Sequence, residues 1–205
     1  WELMKALIKK DKLPAETAPL SWIPGSVGGA LRMNAGADGA SIGDYVQAVH
    51  GIRTNGNKWR RKGNHIEWEY RSTDIPQDVC VTWVEMAFPQ HDVLKGKDAA
   101  AVREKTRVLR SEKQPHGNTA GSVFKNAGTA AGALLDKCGC KGMRIGGCSI
   151  SSKHANFIVA EKGATEYDFT TLARAAQWRV YEKTGVLLKP EVVFAGTEAY
   201  KSMRN

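Results

Sequence analysis

The stretch SWIPGSVGGALRMNAGADG, residues 21 to 39, places Gly25, Gly28, Gly29, Gly36 and Gly39 among small neighbours, with Asp38 as its one acidic residue. Glycine is costly in chain entropy, so this density marks either turns with positive φ or backbone N–H groups brought up against a ligand. Four further patterns hold side chains suited to chemistry: Glu69-Tyr70-Arg71-Ser72, Gln114-Pro115, Ala120-Gly121-Ser122-Val123-Phe124-Lys125-Asn126 and Lys189-Pro190-Glu191-Val192. Taken singly, each has a plain structural explanation. Arg71 suits a surface ion pair, Ser122 a turn after glycine, and Glu191 a solvent-facing strand carboxylate. Their order and spacing along one chain give them weight together.

The elements that would position these residues alternate in type along the chain. Residues 1 to 10 carry apolar side chains at 3, 4, 7 and 8, a helical period. The chain enters this helix directly at Trp1, without an initiator Met, as a fragment cut inside a domain would. Tyr45 to Arg53 alternates apolar and polar residues, turns at Asn55-Gly56 and is expected to pair with Lys58 to Glu69 as a hairpin. Cys80 to Phe88 reads as a third strand, ended by Pro89. Asp98 to Arg110 is expected to be a connecting helix with Asp98 as its N-cap. Beyond it, Gln114 to Asn126 is polar and turn-rich, Gly132 to Cys138 reads as a short helix closed by Gly139, and Ala155 to Ala160 as a strand. Thr165-Glu166-Tyr167-Asp168 has the form of a capping box opening a helix to about Lys183, stopped by Gly185, and Glu191 to Ala195 is expected to return as a strand. The fold class is α+β, in two lobes meeting near residue 111.

Composition narrows the function classes. The 205 residues suffice for one large or two small domains, and 42% hydrophobic with 25% charged is ordinary for a soluble protein. No apolar run approaches the roughly 20 residues of a membrane span, and no signal-peptide pattern opens the chain, so a cytoplasmic location is expected. Cys80, Cys138, Cys140 and Cys148 lack zinc-site spacing and read as free thiols, with no metal expected. A net charge of +9 favours an anionic partner. The cations are scattered, however, and the densest run, Lys58-Trp59-Arg60-Arg61-Lys62, reads as a solvated loop. No nucleic-acid-binding motif accompanies it.

Seven blocks, taken in order, resemble the UDP-N-acetylenolpyruvoylglucosamine reductase family, flavoenzymes that form UDP-N-acetylmuramate for bacterial peptidoglycan. They are Ile23-Pro24-Gly25-Ser26-Val27-Gly28-Gly29-Ala30, Met33-Asn34-Ala35-Gly36-Ala37, Tyr70-Arg71-Ser72, Ala120 to Asn126, Cys140-Lys141-Gly142-Met143-Arg144-Ile145-Gly146-Gly147, His154-Ala155-Asn156-Phe157-Ile158-Val159 and Pro190-Glu191-Val192. The resemblance runs from Trp1 to about Gly196. It implies that residues 1–110 are the C-terminal part of an FAD-binding domain of the vanillyl-alcohol-oxidase-like kind. Residues 111–187 would be a smaller substrate-binding domain, and 188–205 a return strand and tail. It assigns FAD to the glycine-rich backbone through Ile23, Pro24, Gly25, Ser26, Gly28, Gly29, Asn34, Gly36 and Ala37, and names NADPH as hydride donor. Arg71, Ser122 and Glu191 are implied to be catalytic, and Lys113 and Asn126 to hold the substrate.

The family's chemistry accounts for those residue types. Hydride passes from NADPH to FAD and then to C3 of an enolpyruvyl ether, leaving negative charge spread between C2 and the carboxylate. A guanidinium such as that of Arg71 meets that charge through two parallel hydrogen bonds. A serine hydroxyl is a poor acid in water, but C2 of the intermediate is basic enough to take its proton from Ser122. Glu191 stabilises the enol-like species when protonated or bonded to a donor.

The sequence departs from the family in three respects. It lacks an N-terminal subdomain with a second glycine-rich FAD loop, Asp38 stands where an aromatic residue is common, and Ala127 stands where proline is usual. With no insertion for a tyrosine-bearing substrate loop, the chain resembles the branch with an open cleft. A different flavoprotein oxidoreductase, a non-catalytic remnant that binds UDP-sugars, and a basic nucleic-acid-binding module remain as alternatives. No nucleic acid, membrane or obligatory protein partner is expected.

Overall fold

A computed structural model describes residues 3, 6–7, 13–89, 91–94 and 96–194. The expected opening helix falls mostly outside them; Leu3, Ala6 and Leu7 are helical. The chain divides into two compact units, Trp1–Val108 and Leu109–Asn205. Helices and sheet are mixed, and every strand pair among the described residues is antiparallel.

In the first unit β1 (Leu13–Pro14) leads into a 3-10 helix, Ala15–Trp22, and then α1 (Val27–Arg32). The short strands β2 (Gly36–Ala37) and β3 (Ala40–Ser41) follow, then a 3-10 turn, Ile42–Tyr45. Next come β4 (Val46–Arg53), β5 (Lys58–Lys62), a 3-10 turn at Gly63–His65, β6 (Trp68–Glu69), β7 (Ser72–Thr73), β8 (Val79–Met86) and β9 (Val93–Leu94). The main sheet has the order β5-β4-β8. It buries Val46, Val49 and Val79 against Leu31 of α1 and against Ile42, Ile66 and Ile75. Burying such side chains contributes roughly 1.5–3 kcal/mol each, so α1 is held by its Leu31 rather than by its glycine-rich sequence.

Two expectations are corrected here. The run Lys58 to Glu69 is not one strand: β5 ends at Lys62. The buried Gly63 lies so close to Val46 that an added Cβ would stand 1.9 Å from the Val46 carbonyl oxygen. The chain turns there and forms a separate hairpin, β6–β7. The basic run is likewise not a solvated loop but the edge strand β5, registered from Ala48↔Lys62 to Ile52↔Lys58. Alternation leaves Lys58, Arg60 and Lys62 exposed while Trp59 packs on the core. Charged side chains on an edge also discourage pairing with other chains.

The helix α2 (Gly96–Lys113) runs through the division between the units. It starts two residues earlier than expected, so Asp98 lies in its first turn rather than at the cap, still a favourable place for an acid. In the second unit β10 (Asn118–Ser122) lies within the segment read as polar and turn-rich. It is followed by α3 (Ala131–Lys137), β11 (Arg144–Ile145), β12 (Cys148–Ile150), β13 (Phe157–Ala160) and α4 (Glu166–Thr184). The sheet order is β10-β13-β12-β11. Leu172, Ala173, Ala176 and Val180 of α4 and Leu135 of α3 join Ile150 and Ile158 in its core.

Thr165 and Asp168 form the expected capping box, and Gly185 closes α4 at φ 71°. The N–H groups of Thr165 and Gly147 both donate to Asp168 and hold its carboxyl below the usual range, tying the β11–β12 turn to the start of α4. All four cysteines are free thiols, three of them buried, and burial pushes the Cys140 and Cys148 thiols up. The expected strand Glu191 to Ala195 is not formed over the described residues 191–194. Only Pro190 bridges to Phe124, and a proline has no N–H with which to extend a ladder.

Candidate active-site segments

In the first unit the glycine-rich stretch is organised by Ser26, whose Oγ accepts the Gly29 N–H at 3.1 Å and caps α1. Its glycines fall into two groups. Gly25 and Gly39 adopt φ of 122° and 87°, and at Gly36 a Cβ would lie 2.6 Å from the Ala40 carbonyl oxygen, so the chain itself requires these three. At Gly28 a Cβ would meet nothing within 4 Å, and at Gly29 only Ser26 Oγ at 3.4 Å. Packing among the described residues therefore gives no reason for glycine at 28 or 29. Pro24 is exposed, Ala37 is half-buried, and Ile23 packs on the cluster around Leu20 and Ala40.

Asn34 has a scaffold role. It is 7% exposed; its Oδ1 accepts the Gly43 N–H at 3.1 Å and its Nδ2 donates to the Glu69 carbonyl at 3.0 Å. That second bond reaches the two-residue turn Tyr70-Arg71 between β6 and β7. Arg71 has φ 55°, a left-handed conformation that costs a non-glycine residue roughly 1–3 kcal/mol and persists only where the surroundings impose it. The β6–β7 pairing and Asn34 impose it here. The Arg71 guanidinium donates to the Gly36 carbonyl at 2.9 Å and lies 4.9 Å from the Tyr70 ring centre. Arg71 is thus joined to the glycine-rich stretch.

A cavity of about 690 Å³ also lies in this unit, lined by Glu16, Asp38, Asp44, Tyr45 and Phe88 among others. Burial, with Glu16 and Asp44 nearby, pushes the Tyr45 hydroxyl up to about 12. None of the expected flavin, substrate or catalytic residues lines it.

In the second unit Ser122 ends β10 opposite Phe157, after a register shift that begins beyond Thr119. Gly121 takes φ 78° and donates its N–H to Thr119 Oγ1 at 2.9 Å, which places the irregularity between Thr119 and Ser122. Among the described residues no hydrogen bond engages the Ser122 hydroxyl. The next residue, Val123, accepts the Glu191 N–H at 2.8 Å, and Lys125 donates to the Lys189 carbonyl at 2.8 Å. Glu191, far away in sequence, is therefore bonded to the residue that follows Ser122.

Asn126 Oδ1 accepts the Ala131 N–H at 3.0 Å, serving the start of α3 where Ala130 offers no side-chain cap. Lys113 is exposed at the end of α2. The expected roles left out Asn156, which is 4% exposed and bonded to the segment after Ser122 through both its side chain and its backbone. Its motif was legible; its partner, Phe124, was not.

Residues 113–195 match the model of the C-terminal domain of UDP-N-acetylenolpyruvoylglucosamine reductase. The enzyme of that name from Aquifex aeolicus is 37% identical over 187 residues, covering 89% of this chain and 62% of the relative. The one from Thermotoga petrophila is 41% identical over 176 residues, covering 83% of this chain and 60% of the relative. The crystal structure of the Thermus caldophilus enzyme superposes with a TM-score of 0.75 at 29% identity, covering 93% of this chain and 68% of that one. Fold and motif order thus agree with those relatives. Residues 113–195 match the C-terminal domain of that reductase, and most of the chain is similar to enzymes of that name. The chain spans about three fifths of the length of the curated relatives it matches.

Proposed function

We propose that this chain serves the FAD-dependent, NADPH-driven reduction of UDP-N-acetylenolpyruvoylglucosamine to UDP-N-acetylmuramate, a cytoplasmic step of peptidoglycan precursor synthesis. The observation that carries the reading is the bond from the Glu191 N–H to the carbonyl of Val123, the residue after Ser122. A reaction that needs a proton donor beside a stabilising carboxyl requires that register. The residues present fit the cofactor: among the described residues nothing fills the space at Gly28 and only Ser26 Oγ borders that at Gly29, on the capped first turn of α1, where backbone N–H groups lack acceptors within the helix. FAD, when bound there, supplies the hydride for C3 of the enolpyruvyl group.

The chain's own residues do the rest. Arg71 holds the negative charge that develops on the substrate, Ser122 Oγ delivers a proton to C2, and Glu191 stabilises the enol-like species. Lys113 and Asn126 hold the substrate, with Asn126 using the amide nitrogen that its helix-capping bond leaves over. In this reading residues 1–110 contribute the cofactor surface, 111–187 the substrate surface, and 188–205 the segment that presents Glu191.

The test is to titrate the purified chain with FAD while recording visible absorbance, bleach the flavin with NADPH, and add the enolpyruvyl substrate. A bound flavin spectrum that bleaches and then recovers on addition of substrate is the expected result. Binding of UDP-sugar without flavin would favour a non-catalytic binding protein, and binding of neither ligand would overturn the reading.

A further inference from the structure

We infer that Asn156 is the positioning residue that fixes Ser122 and Glu191 relative to each other. This rests on the reductase roles proposed for those two residues. The main chain of Asn156 accepts the Val123 N–H at 2.9 Å. Its side chain meets both polar groups of the next residue: Oδ1 accepts the Phe124 N–H at 2.9 Å, and Nδ2 donates to the Phe124 carbonyl at 2.8 Å. The donor and the acceptor of Phe124 together fix which way the amide points.

A side-chain amide thus stands where a backbone peptide of β13 would stand. It continues the β10–β13 pairing past Ser122↔Phe157, where the strand register has already shifted. Asparagine suits this place because its amide has the size and both polarities of a peptide group; aspartate keeps the acceptor but loses the donor. Phe124 is 2% exposed, so water cannot replace either bond.

The clamp is itself held by the turn beneath it. His154 Nδ1 accepts the Asn156 N–H at 3.2 Å, and Ser151 Oγ accepts the N–H groups of Lys153 and His154 at 3.1 and 3.3 Å. With its N–H committed to Asn156, Val123 offers its carbonyl to the Glu191 N–H at 2.8 Å. One buried amide therefore sets the path of the segment that follows Ser122 and receives Glu191. Asn156 is too deeply buried to touch substrate, so its effect on the reaction passes through Val123 and Phe124.

The experiment compares Asn156→Asp, Asn156→Ala and, as a packing control in the same strand region, Ile158→Val. In the 205-residue chain without cofactor, amide exchange is followed by NMR. The Glu191 amide, which does not touch Asn156, should lose at least about ten-fold of its protection in Asn156→Asp, while Leu172 and Val180 on α4 keep theirs. Ile158→Val should leave Glu191 unchanged. In the flavin-loaded chain, reoxidation by the enolpyruvyl substrate should slow by about ten-fold or more in Asn156→Asp, with bleaching by NADPH and substrate affinity unchanged.

Unaltered Glu191 protection, or equal slowing of both half-reactions, would overturn the inference. Asn156→Asp changes no side-chain volume, so it keeps the comparison open if Asn156→Ala fails to fold. If the chain takes up no flavin, the reductase reading fails by itself, and the exchange result still decides whether Asn156 couples to Glu191.

Discussion

Ser122 and Arg71 reach their places by opposite means. The backbone at Ser122 is relaxed strand after a glycine bulge, and nothing among the described residues bonds its hydroxyl, so Ser122→Ala removes one oxygen and little else. Its stability should change by at most about 1 kcal/mol. If the hydroxyl supplies the proton, stopped-flow absorbance should find NADPH bleaching the flavin at the normal rate while reoxidation by substrate slows by ~10² to 10⁴-fold. Normal reoxidation would end the assignment. Arg71, by contrast, is held in a left-handed turn with its guanidinium on the Gly36 carbonyl. Lysine keeps the charge but has one polar atom in place of a planar fork, so it cannot serve both Gly36 and a substrate carboxylate in one geometry. Arg71→Lys should lower steady-state turnover by ten-fold or more, a loss of roughly 1.4 kcal/mol or more of transition-state stabilisation. Wild-type turnover would leave Arg71 with a structural role.

The turn from Ser151 to Phe157 shows what a short element adds to its residues. His154 packs edge-on against Phe157 at 4.8 Å, and its Nδ1 must be unprotonated to accept the Asn156 N–H. Burial lowers its pKa from the ordinary 6.5; Lys141 adds to that effect, and Asp136 and its own backbone oppose it. The unfolded chain takes up the proton near 6.5 and the folded chain only at lower pH. Stability from the neutral ring is therefore complete above 6.5 and is lost as pH falls from there through the lowered folded value. His154→Asn, which keeps an acceptor near Nδ1 without titrating, should flatten this slope in denaturant unfolding at a series of pH values. Parallel profiles for the two proteins would place the titration elsewhere. Such turns are where the sequence was hard to read. The Thr165–Asp168 box and Gly185 were legible because their chemistry is local. The pairing of β5 with β4 was legible from the Asn55-Gly56 turn, but its end at Lys62 was not, because the stop comes from the close approach of Gly63 to Val46, and beyond Pro190 the expected strand is not formed over the described residues. Asn156 stood in a quoted motif without a role because the bonds that give it one reach Phe124, 32 positions away.

For the chain as a whole, a net charge of +9 agrees with an anionic ligand but does not locate it; the proposed reading puts it at the glycines of α1. Glycine inside a helix costs about 0.5–1 kcal/mol relative to alanine, and at Gly28 no contact among the described residues offsets that cost. Two substitutions should therefore behave in opposite ways with and without cofactor. Without FAD, Gly28→Ala should raise thermal stability slightly, because its methyl group meets nothing and the helix former is better. With FAD, a ligand bound only by the folded chain stabilises wild type by about 2.7 kcal/mol at a hundredfold excess over its Kd. For a chain of this size that is a rise of roughly 5–10 °C in Tm. Gly28→Ala should keep only part of that rise, and Gly28→Val, whose branched side chain fills the open space, should show none. Calorimetry of the three proteins with and without FAD makes the comparison. An equal FAD-induced rise in all three would separate the glycine pair from the cofactor, and Gly28 would then be a helix residue whose cost the fold leaves uncompensated.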